Sequence, residues 1–151
     1  ENELIAAVEI WGNHVYCVGD SKTVVYRVSG QKTGEITYDG RTLITYKAGK
    51  ANIVLAFSES SLDGKRYDVE SYNSGGRRIG SYELDYKIDY MDFAQDAIAI
   101  RRGRLIDVID LHGREKHLID PGVDVESFSF VGGTSTVVGF AANGAYLFDV
   151  T

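Results

Sequence analysis

The chain has 151 residues, of which 44% are hydrophobic and 25% are charged, and its formal net charge is −6. This composition is typical of a globular protein and excludes a disordered or fibrous chain, and the length suits a single domain over residues 1–151. The negative charge argues against a nucleic-acid partner, because binding to a phosphate backbone depends on an excess of Lys and Arg. No apolar run approaches the roughly 20 residues that cross a bilayer, so membrane contact is expected only through a segment absent from this sequence.

Short stretches rich in β-branched and aromatic residues predict strands along the whole chain, in four successive units. The first unit has strand candidates at residues 4–11, 14–18, 24–28 and 35–38, and the second has them at 43–47, 52–56, 67–72 and 77–84. The third has them at 87–93, 96–100, 105–111 and 115–119, and the fourth at 125–131, 136–140 and 146–150. Helical periodicity is missing and turns rich in Gly, Asn and Asp separate the candidates, so we expect antiparallel hairpins.

The four units repeat with a regular period. If Val15, Ile53, Ala97 and Val137 are equivalent, the spacings between them are 38, 44 and 40 residues. A second series ends the third strands at Val28, Tyr72, Leu111 and Val150, with spacings of 44, 39 and 39 residues. A repeat of about 40 residues built from four strands is the size of a propeller blade, whereas solenoid repeats of that length are helical.

The sequence therefore predicts an all-β fold of four consecutive antiparallel four-stranded propeller-type blades, a partial or half propeller. The blades are expected at about residues 4–40, 41–84, 85–121 and 122–151, and the last lacks its outer strand. Propellers avoid exposed sheet edges by closing the ring. Three outcomes stay open: the natural chain continues, two copies form a homodimer that completes a larger ring, or the arc stays open.

Residues 86–122 carry a family resemblance. A strand at 97–100 precedes a second at 105–111 that contains Asp110-Leu111, and a turn follows at His112-Gly113. This resembles a blade of the quinoprotein-like and WD40-like propeller superfamily. Three family features are absent: Gly-His with a Trp-Asp ending, a kelch-type double glycine followed by the expected aromatics, and the repeated Trp of the quinoprotein dehydrogenases. The chain also resembles uncharacterised extracytoplasmic propeller domains of bacteria. That likeness implies an extracytoplasmic or cell-surface location, and a cytoplasmic one stays open.

Three acidic residues are candidate ligand-binding groups because they end the fourth strands or follow them: Asp39, Asp85 and Asp120. Repeated around a propeller axis, they could bind a cation or act as paired acids. The alternative, which we favour, is that each carboxylate caps its own turn by accepting backbone N–H groups.

Basic residues mark the predicted loops between the second and third strands of the first three blades. A cluster on one rim could dock an anionic glycan, another anionic polymer or an acidic protein. The favoured alternative is a solvated surface balanced by neighbouring acids. The residues concerned are Lys22, Lys65, Arg66, Arg101, Arg102 and Arg104.

No catalytic constellation, metal site or cofactor is predicted. Cys17 is the only cysteine, and none of the three histidines has a recognisable nucleophile or ligand partner. Trp11, Tyr86 and Tyr90 could stack on a sugar or peptide, although core packing is favoured. The preferred function is a non-catalytic binding or assembly module that contacts protein or carbohydrate through its loop faces. The alternative is a glycan-processing or quinone-dependent propeller enzyme with the three Asp residues as axial acids.

Overall fold

The structure is a computed structural model that describes residues 4–133 and 136–150. The described residues form four separate antiparallel sheets, three of four strands and one of three. Within each sheet the strands are neighbours in chain order, as in a meander. No described segment is a helix of the length and apolarity that a bilayer span requires. The predicted fold class, an all-β partial propeller, is confirmed, and the arc of blades is not closed.

The strands of each blade alternate in direction. Blade 1 contains β1 (Ile5–Trp11), β2 (His14–Gly19), β3 (Lys22–Arg27) and β4 (Lys32–Thr37). Blade 2 contains β5 (Thr42–Ala48), β6 (Asn52–Ser61), β7 (Gly64–Asn73) and β8 (Arg78–Leu84). Blade 3 contains β9 (Met91–Ala94), β10 (Ala97–Arg102), β11 (Leu105–Asp110) and β12 (Glu115–Ile119). Blade 4 contains β13 (Ser127–Phe130), β14 (Thr136–Ala141) and β15 (Gly144–Asp149).

The strand register corrects two of the predicted equivalences. His14 pairs with Arg27, Asn52 with Asn73, Ala97 with Asp110 and Thr136 with Asp149, so these pairs occupy the same place in their blades. The residue equivalent to Val15 in blade 3 is therefore Ile98 and not Ala97. In the second series Ser74, and not Tyr72, matches Val28. Blade 3 also begins later than predicted, since β9 has only four residues.

Three apolar cores lie between neighbouring blades. Between blades 1 and 2, the core includes Tyr16, Val25, Leu55 and Phe57; the next includes Val54, Ala56, Ile98 and Ile100; the third includes Ala99, Val108, Phe128 and Val137. Residues 53–57 of β6 and 97–100 of β10 contribute to a core on each of their faces, which explains why both segments are continuous apolar runs. Among the described residues, no further sheet packs against the two outer faces of the arc.

Each blade has two distinct ends. We call the end with the hairpins between first and second and between third and fourth strands the turn end, and the opposite end, with the other hairpins and the links between blades, the loop end. At the turn end a backbone hydrogen bond joins the two hairpins of each of blades 1, 2 and 3. These bonds run from the Val28 N–H to the Asn13 carbonyl (3.1 Å), from Ser74 to Ala51 (3.0 Å) and from Leu111 to Asp96 (3.2 Å).

Neighbouring blades also approach backbone to backbone at the turn end. A Cβ atom added at Gly34 would lie 2.5 Å from the Gly75 carbonyl carbon, and one at Gly76 would lie 2.8 Å from the Glu35 nitrogen. One blade further on, a Cβ at Gly113 would overlap the Ser81 carbonyl oxygen. The same contact therefore occurs twice, and it requires glycine because any side chain would separate the two backbones.

Candidate functional site

Most of the predicted basic residues form contacts with acids at the loop end. The Arg66 guanidinium lies 2.6 Å from the Glu83 carboxylate, and that of Arg104 lies 3.3 Å from Asp120. Lys22 is 4.0 Å from Glu35. In each pair a cation of a second-to-third hairpin faces an acid on the fourth strand or just after it. Exposed pairs of this kind contribute little to stability and leave the surface close to neutral.

The remaining predicted cations differ from one another. Arg101 donates to the Glu126 carbonyl over 2.6 Å and so bridges blade 3 to the link that follows it. Arg102 lies 3.7 Å from Asp85 and 5.1 Å from the centre of the Tyr86 ring. Lys65 is exposed beside the tip of the long β6–β7 hairpin, with no ion pair to any residue of 4–133 or 136–150.

Two of the three predicted acids are held by contacts within their own turns, and the third, Asp85, lies 3.7 Å from Arg102. Asp39 accepts a hydrogen bond from the Thr37 hydroxyl over 2.9 Å, and Asp120 accepts one from the Gly122 N–H over 3.0 Å. The bond from Gly122, followed by Arg104, holds the pKa of the Asp120 carboxyl below its ordinary value. Within the described part of the chain, no group of three or more His, Cys, Asp or Glu residues has metal-binding geometry. Ligand binding by the nine predicted site residues stays a prediction.

A buried carboxylate lies between blades 1 and 2. Glu70 in β7 is 3% exposed and accepts hydrogen bonds from Arg41 (3.0 Å), Arg78 (3.1 Å) and the Tyr72 hydroxyl. Burial alone would raise the pKa of Glu70, but the bonds from Arg41 and Tyr72 outweigh burial and hold this pKa below its ordinary value. Arg41 also stacks over the Phe57 ring at 4.1 Å, so the network ties blade 2 together at its border with blade 1.

Blade 3 has a second buried acid at the position equivalent to Glu70. Asp107 is 1% exposed and accepts a hydrogen bond from the Tyr86 hydroxyl over 2.5 Å. Burial, and then this bond, raise the pKa of Tyr86 above its ordinary value. Tyr90 packs edge-on against Phe128, with ring centres 4.9 Å apart. These contacts support the core-packing interpretation for both tyrosines and leave Trp11 as the aromatic candidate for a ligand.

Trp11 lies in a groove of about 300 Å³ at the turn end. Three blades contribute to this groove. Trp11 ends β1, and residues 48–52 form the first hairpin turn of blade 2. In blade 3, Phe93 and Ala94 end β9 and Gln95 begins the turn that follows. The indole is 42% exposed, and its N–H donates to the Glu9 carboxylate over 2.9 Å, which orients the ring. The groove is of a size and apolar character suited to a small molecule or a side chain.

The floor of the groove is held rigid by hydrogen bonds from two blades. The Gly49 N–H donates to the Asn52 carbonyl over 2.8 Å and tightens the turn. The His14 Nδ1 lies 2.9 Å from the Lys50 carbonyl, and because a carbonyl only accepts, this ring nitrogen carries the proton. Blade 1 therefore holds the turn of blade 2 in place.

The prediction of loop-end sites overlooked this groove. Its residues come from three separate hairpins, and much of the lining is Gly, Ala and backbone, which carry no chemical signature in a sequence. One available signal was the aromatic residue at or next to the end of two first strands, Trp11 before Gly12 and Phe93 before the turn at Gln95.

The two ends also differ in charge. In blades 1 to 3, the turn-end segments 11–14, 27–32, 48–52, 73–78, 94–97 and 110–115 contain six Lys or Arg residues and three Asp or Glu residues. The corresponding loop-end segments contain five Lys or Arg residues and eight Asp or Glu residues; these segments are 19–22, 37–42, 61–64, 84–91, 102–105 and 119–127. The turn end is therefore net positive in a chain whose formal charge is −6.

Comparison with known proteins gives a family and a fold. A family model described as "Family of unknown function (DUF5711)" matches residues 1–145. No curated protein matches the chain.

Among solved structures, "BBS1N in complex with ARL6DN, soaked with lead" has a TM-score of 0.68 at 8% identity, over 99% of this chain and 53% of that one. "Kluyveromyces lactis Hsv2" has a TM-score of 0.60 at 12% identity, over 98% of this chain and 46% of that one. BamB from Moraxella catarrhalis has a TM-score of 0.53 at 14% identity, over 95% of this chain and 43% of that one.

These solved neighbours are β-propeller proteins, and the chain spans about half the length of each of the three. At such low identities the likeness establishes the fold alone. The predicted propeller resemblance is confirmed at that level. Its quinoprotein-like part and the extracytoplasmic location stay predictions.

Proposed function

We propose that this chain, which belongs to DUF5711, a family of unknown function, is a non-catalytic module. It binds a protein partner at its turn end. The observation that carries the proposal is the groove beside Trp11, a preformed apolar site of about 300 Å³ built by three blades. A rigid concave site with an exposed aromatic residue is a common anchor point in protein recognition.

The electrostatics of the two ends favour the turn end over the loop end. At the loop end, the cations of the predicted basic rim are largely engaged by Glu83, Asp120, Asp85 and the Glu126 carbonyl. At the turn end, Lys50 and Arg77 are exposed and have no ion pair within residues 4–133 and 136–150. Free charges steer a partner of opposite charge more effectively than paired ones do.

A protein partner is preferred to a carbohydrate because of the chemistry of the groove lining. Among the described residues, only Lys50, Asn52, Gln95 and the Trp11 N–H bring polar side-chain groups to it, and that N–H already donates to Glu9. A sugar presents many hydroxyl groups that need partners, whereas an apolar side chain needs none. The enzyme alternative, with Asp39, Asp85 and Asp120 as axial acids, gains no support. Asp39 accepts from the Thr37 hydroxyl, Asp85 faces Arg102, and Asp120 accepts from the Gly122 N–H.

The homodimer that completes a larger ring stays a prediction, and one feature favours it. On the outer face of blade 1, Val8 and Ile10 are 56% and 67% exposed, although the equivalent Tyr46 and Ala48 of blade 2 pack against an inter-blade core. Leu147 on the outer face of blade 4 is 71% exposed. The mass of the chain in solution, measured by light scattering over a concentration series, tests whether two copies cover these faces.

Site-specific photo-cross-linking tests the proposed binding face. The photoreactive residue p-benzoylphenylalanine replaces Asn13 at the turn end in one variant and Leu62 at the tip of the loop-end hairpin in another. We expect discrete protein adducts from position 13 in cells of the source organism, and their loss when Trp11→Ala is added. Adducts only from position 62, or adducts at position 13 that ignore Trp11→Ala, would contradict the proposal.

A further inference from the structure

We propose that the partner presents an acidic segment with one large apolar side chain, which enters the groove between Trp11 and Phe93 while Lys50 and Arg77 pair with the flanking carboxylates. This inference rests on the proposed function and adds the chemistry of the partner. It combines an apolar cavity, a rigid floor and unpaired positive charges in one place.

The walls of the groove are suited to an apolar side chain. Trp11 forms one wall, and Phe93 lies directly on the backbone of the blade 2 turn, where its ring would be 3.0 Å from a Cβ atom at Gly49. Gly49 therefore lets the Phe93 ring lie against the turn. An aromatic or large aliphatic side chain between two aromatic walls buries apolar area without leaving a polar group unpartnered.

The site is formed before a partner arrives. Glu9 orients the indole of Trp11, and His14 holds the Lys50 carbonyl at 2.9 Å. The Ser74 N–H donates to the Ala51 carbonyl over 3.0 Å and brings the turn that carries Arg77 beside the floor of the groove. A segment that binds here would not have to order these elements, which lowers the entropic cost of binding.

The charges around the groove favour carboxylates over cations in the partner. Two of the three acids in the surrounding turn-end segments are engaged: Asp96 lies 3.8 Å from Lys116, and Asp110 lies 2.7 Å from Arg114. Glu115 has no ion pair among the described residues, and the Glu9 carboxylate accepts the Trp11 N–H at the edge of the groove. Lys50 and Arg77 have no such pair among the described residues and are exposed. These two cations are therefore available to pair with carboxylates of a partner.

Nuclear magnetic resonance with a defined probe tests the inference. The probe is an acetylated, amidated pentapeptide with a central tryptophan and two glutamates on each side, and it is titrated into the ¹⁵N-labelled chain. We expect saturable shifts of the backbone amides of Gly49, Asn52 and Gln95. Trp11→Ala should abolish them, and Lys50→Glu should weaken binding about tenfold, because an attractive charge becomes a repulsive one.

Lys65→Glu is the matched control, since it makes the same charge reversal at an exposed lysine of the loop end. It should leave the affinity for the pentapeptide unchanged. Two further probes separate the contributions: a peptide with lysines in place of the glutamates, and one with alanine in place of the tryptophan. Both should bind more weakly than the acidic tryptophan peptide.

Three results would overturn the inference. They are equal binding of the lysine peptide, unchanged affinity in Lys50→Glu, and stronger shifts of the same amides by an oligogalacturonate, which would assign the groove to an anionic carbohydrate. If the acidic peptide fails but cross-links still form from position 13, the chemistry assigned to the partner is wrong and the proposed binding face stands. Failure of both experiments would overturn both.

Discussion

The turn end and the loop end solve the problem of joining blades in different ways. At the turn end the blades meet backbone to backbone, through glycines such as Gly34 and Gly76, and the surface is left net positive. At the loop end side chains make the connections, as in the contact of Arg101 with the Glu126 carbonyl, and cations such as Arg66 and Arg104 face acids. Close backbone packing and a net positive charge therefore coincide at one end, which is where the groove lies.

Buried charge adds a third case, between the two ends. Arg41 belongs to the link between blades 1 and 2, yet its guanidinium is 13% exposed and pairs with the buried Glu70. An exposed pair such as Arg66 with Glu83 keeps most of its hydration, whereas Arg41 does not. Three changes, from the largest expected effect to the smallest, test these distinctions.

Gly113→Ala should have the largest effect. The new Cβ would overlap the Ser81 carbonyl oxygen of the neighbouring blade, and the φ of 80° at this position disfavours a side chain. We expect a loss of about 3 kcal/mol or more in the free energy of unfolding, measured by urea denaturation. Gly103→Ala is the control at the loop end, because its φ of 60° is equally unfavourable but no atom lies within 4 Å of the added Cβ. Gly103→Ala should lose only about 1 kcal/mol in the free energy of unfolding. Equal losses in the two variants would contradict the claim that close backbone contact makes the turn end more sensitive than the loop end.

Glu70→Gln should have the next largest effect. We expect a loss of about 3 kcal/mol in the free energy of unfolding at neutral pH, because the buried Arg41 is left without a counter-ion. The effect depends on pH. The pKa of Glu70 is lowered in the folded chain, so its contribution is present above the unfolded value of about 4.3 and is lost as the pH falls through the folded value. The difference in free energy of unfolding between wild type and variant, measured by urea denaturation at several pH values, should therefore become smaller below about pH 4. A gap that widens in acid would contradict this assignment.

Arg66→Ala should have the smallest effect, within about 0.5 kcal/mol of wild type, because the Arg66 and Glu83 side chains are 52% and 62% exposed. Arg41→Ala is the matched comparison, since it removes the same guanidinium from a buried pair. In thermal unfolding, the midpoint temperature of Arg41→Ala should be well below that of Arg66→Ala. If the two melted together, the buried network would contribute no more than a surface pair.

The fold could be predicted from the sequence because a repeat near 40 residues, strand-forming residues and Gly turns all indicate the same blade. The register could not be predicted everywhere. The repeat spacing predicts Ala97 as the equivalent of Val15, whereas the register gives Ile98. The reason is that β10 is buried on both faces, so its apolar run has no alternation to fix which residue faces which core.

The candidate site was less accessible to sequence reasoning. Asp39 and Asp120 are conspicuous in the sequence but are engaged in their own turns. The groove depends on Trp11, Gly49 and Phe93, which lie far apart in the chain and meet only when three blades pack. The net charge of −6 also conceals the positive turn end, because composition averages over surfaces that the fold keeps apart.

The separation of the apolar interior into three inter-blade cores also governs how the chain loses its structure. Each blade is a local meander that gains its burial from its immediate neighbours, so stability is approximately a sum over adjacent pairs, as in a one-dimensional array. Blades 2 and 3 have two neighbours each, and blades 1 and 4 have one. Fraying should therefore begin at the outer blades and move inward, and the amides of β6 and β10 should be the last to exchange with solvent.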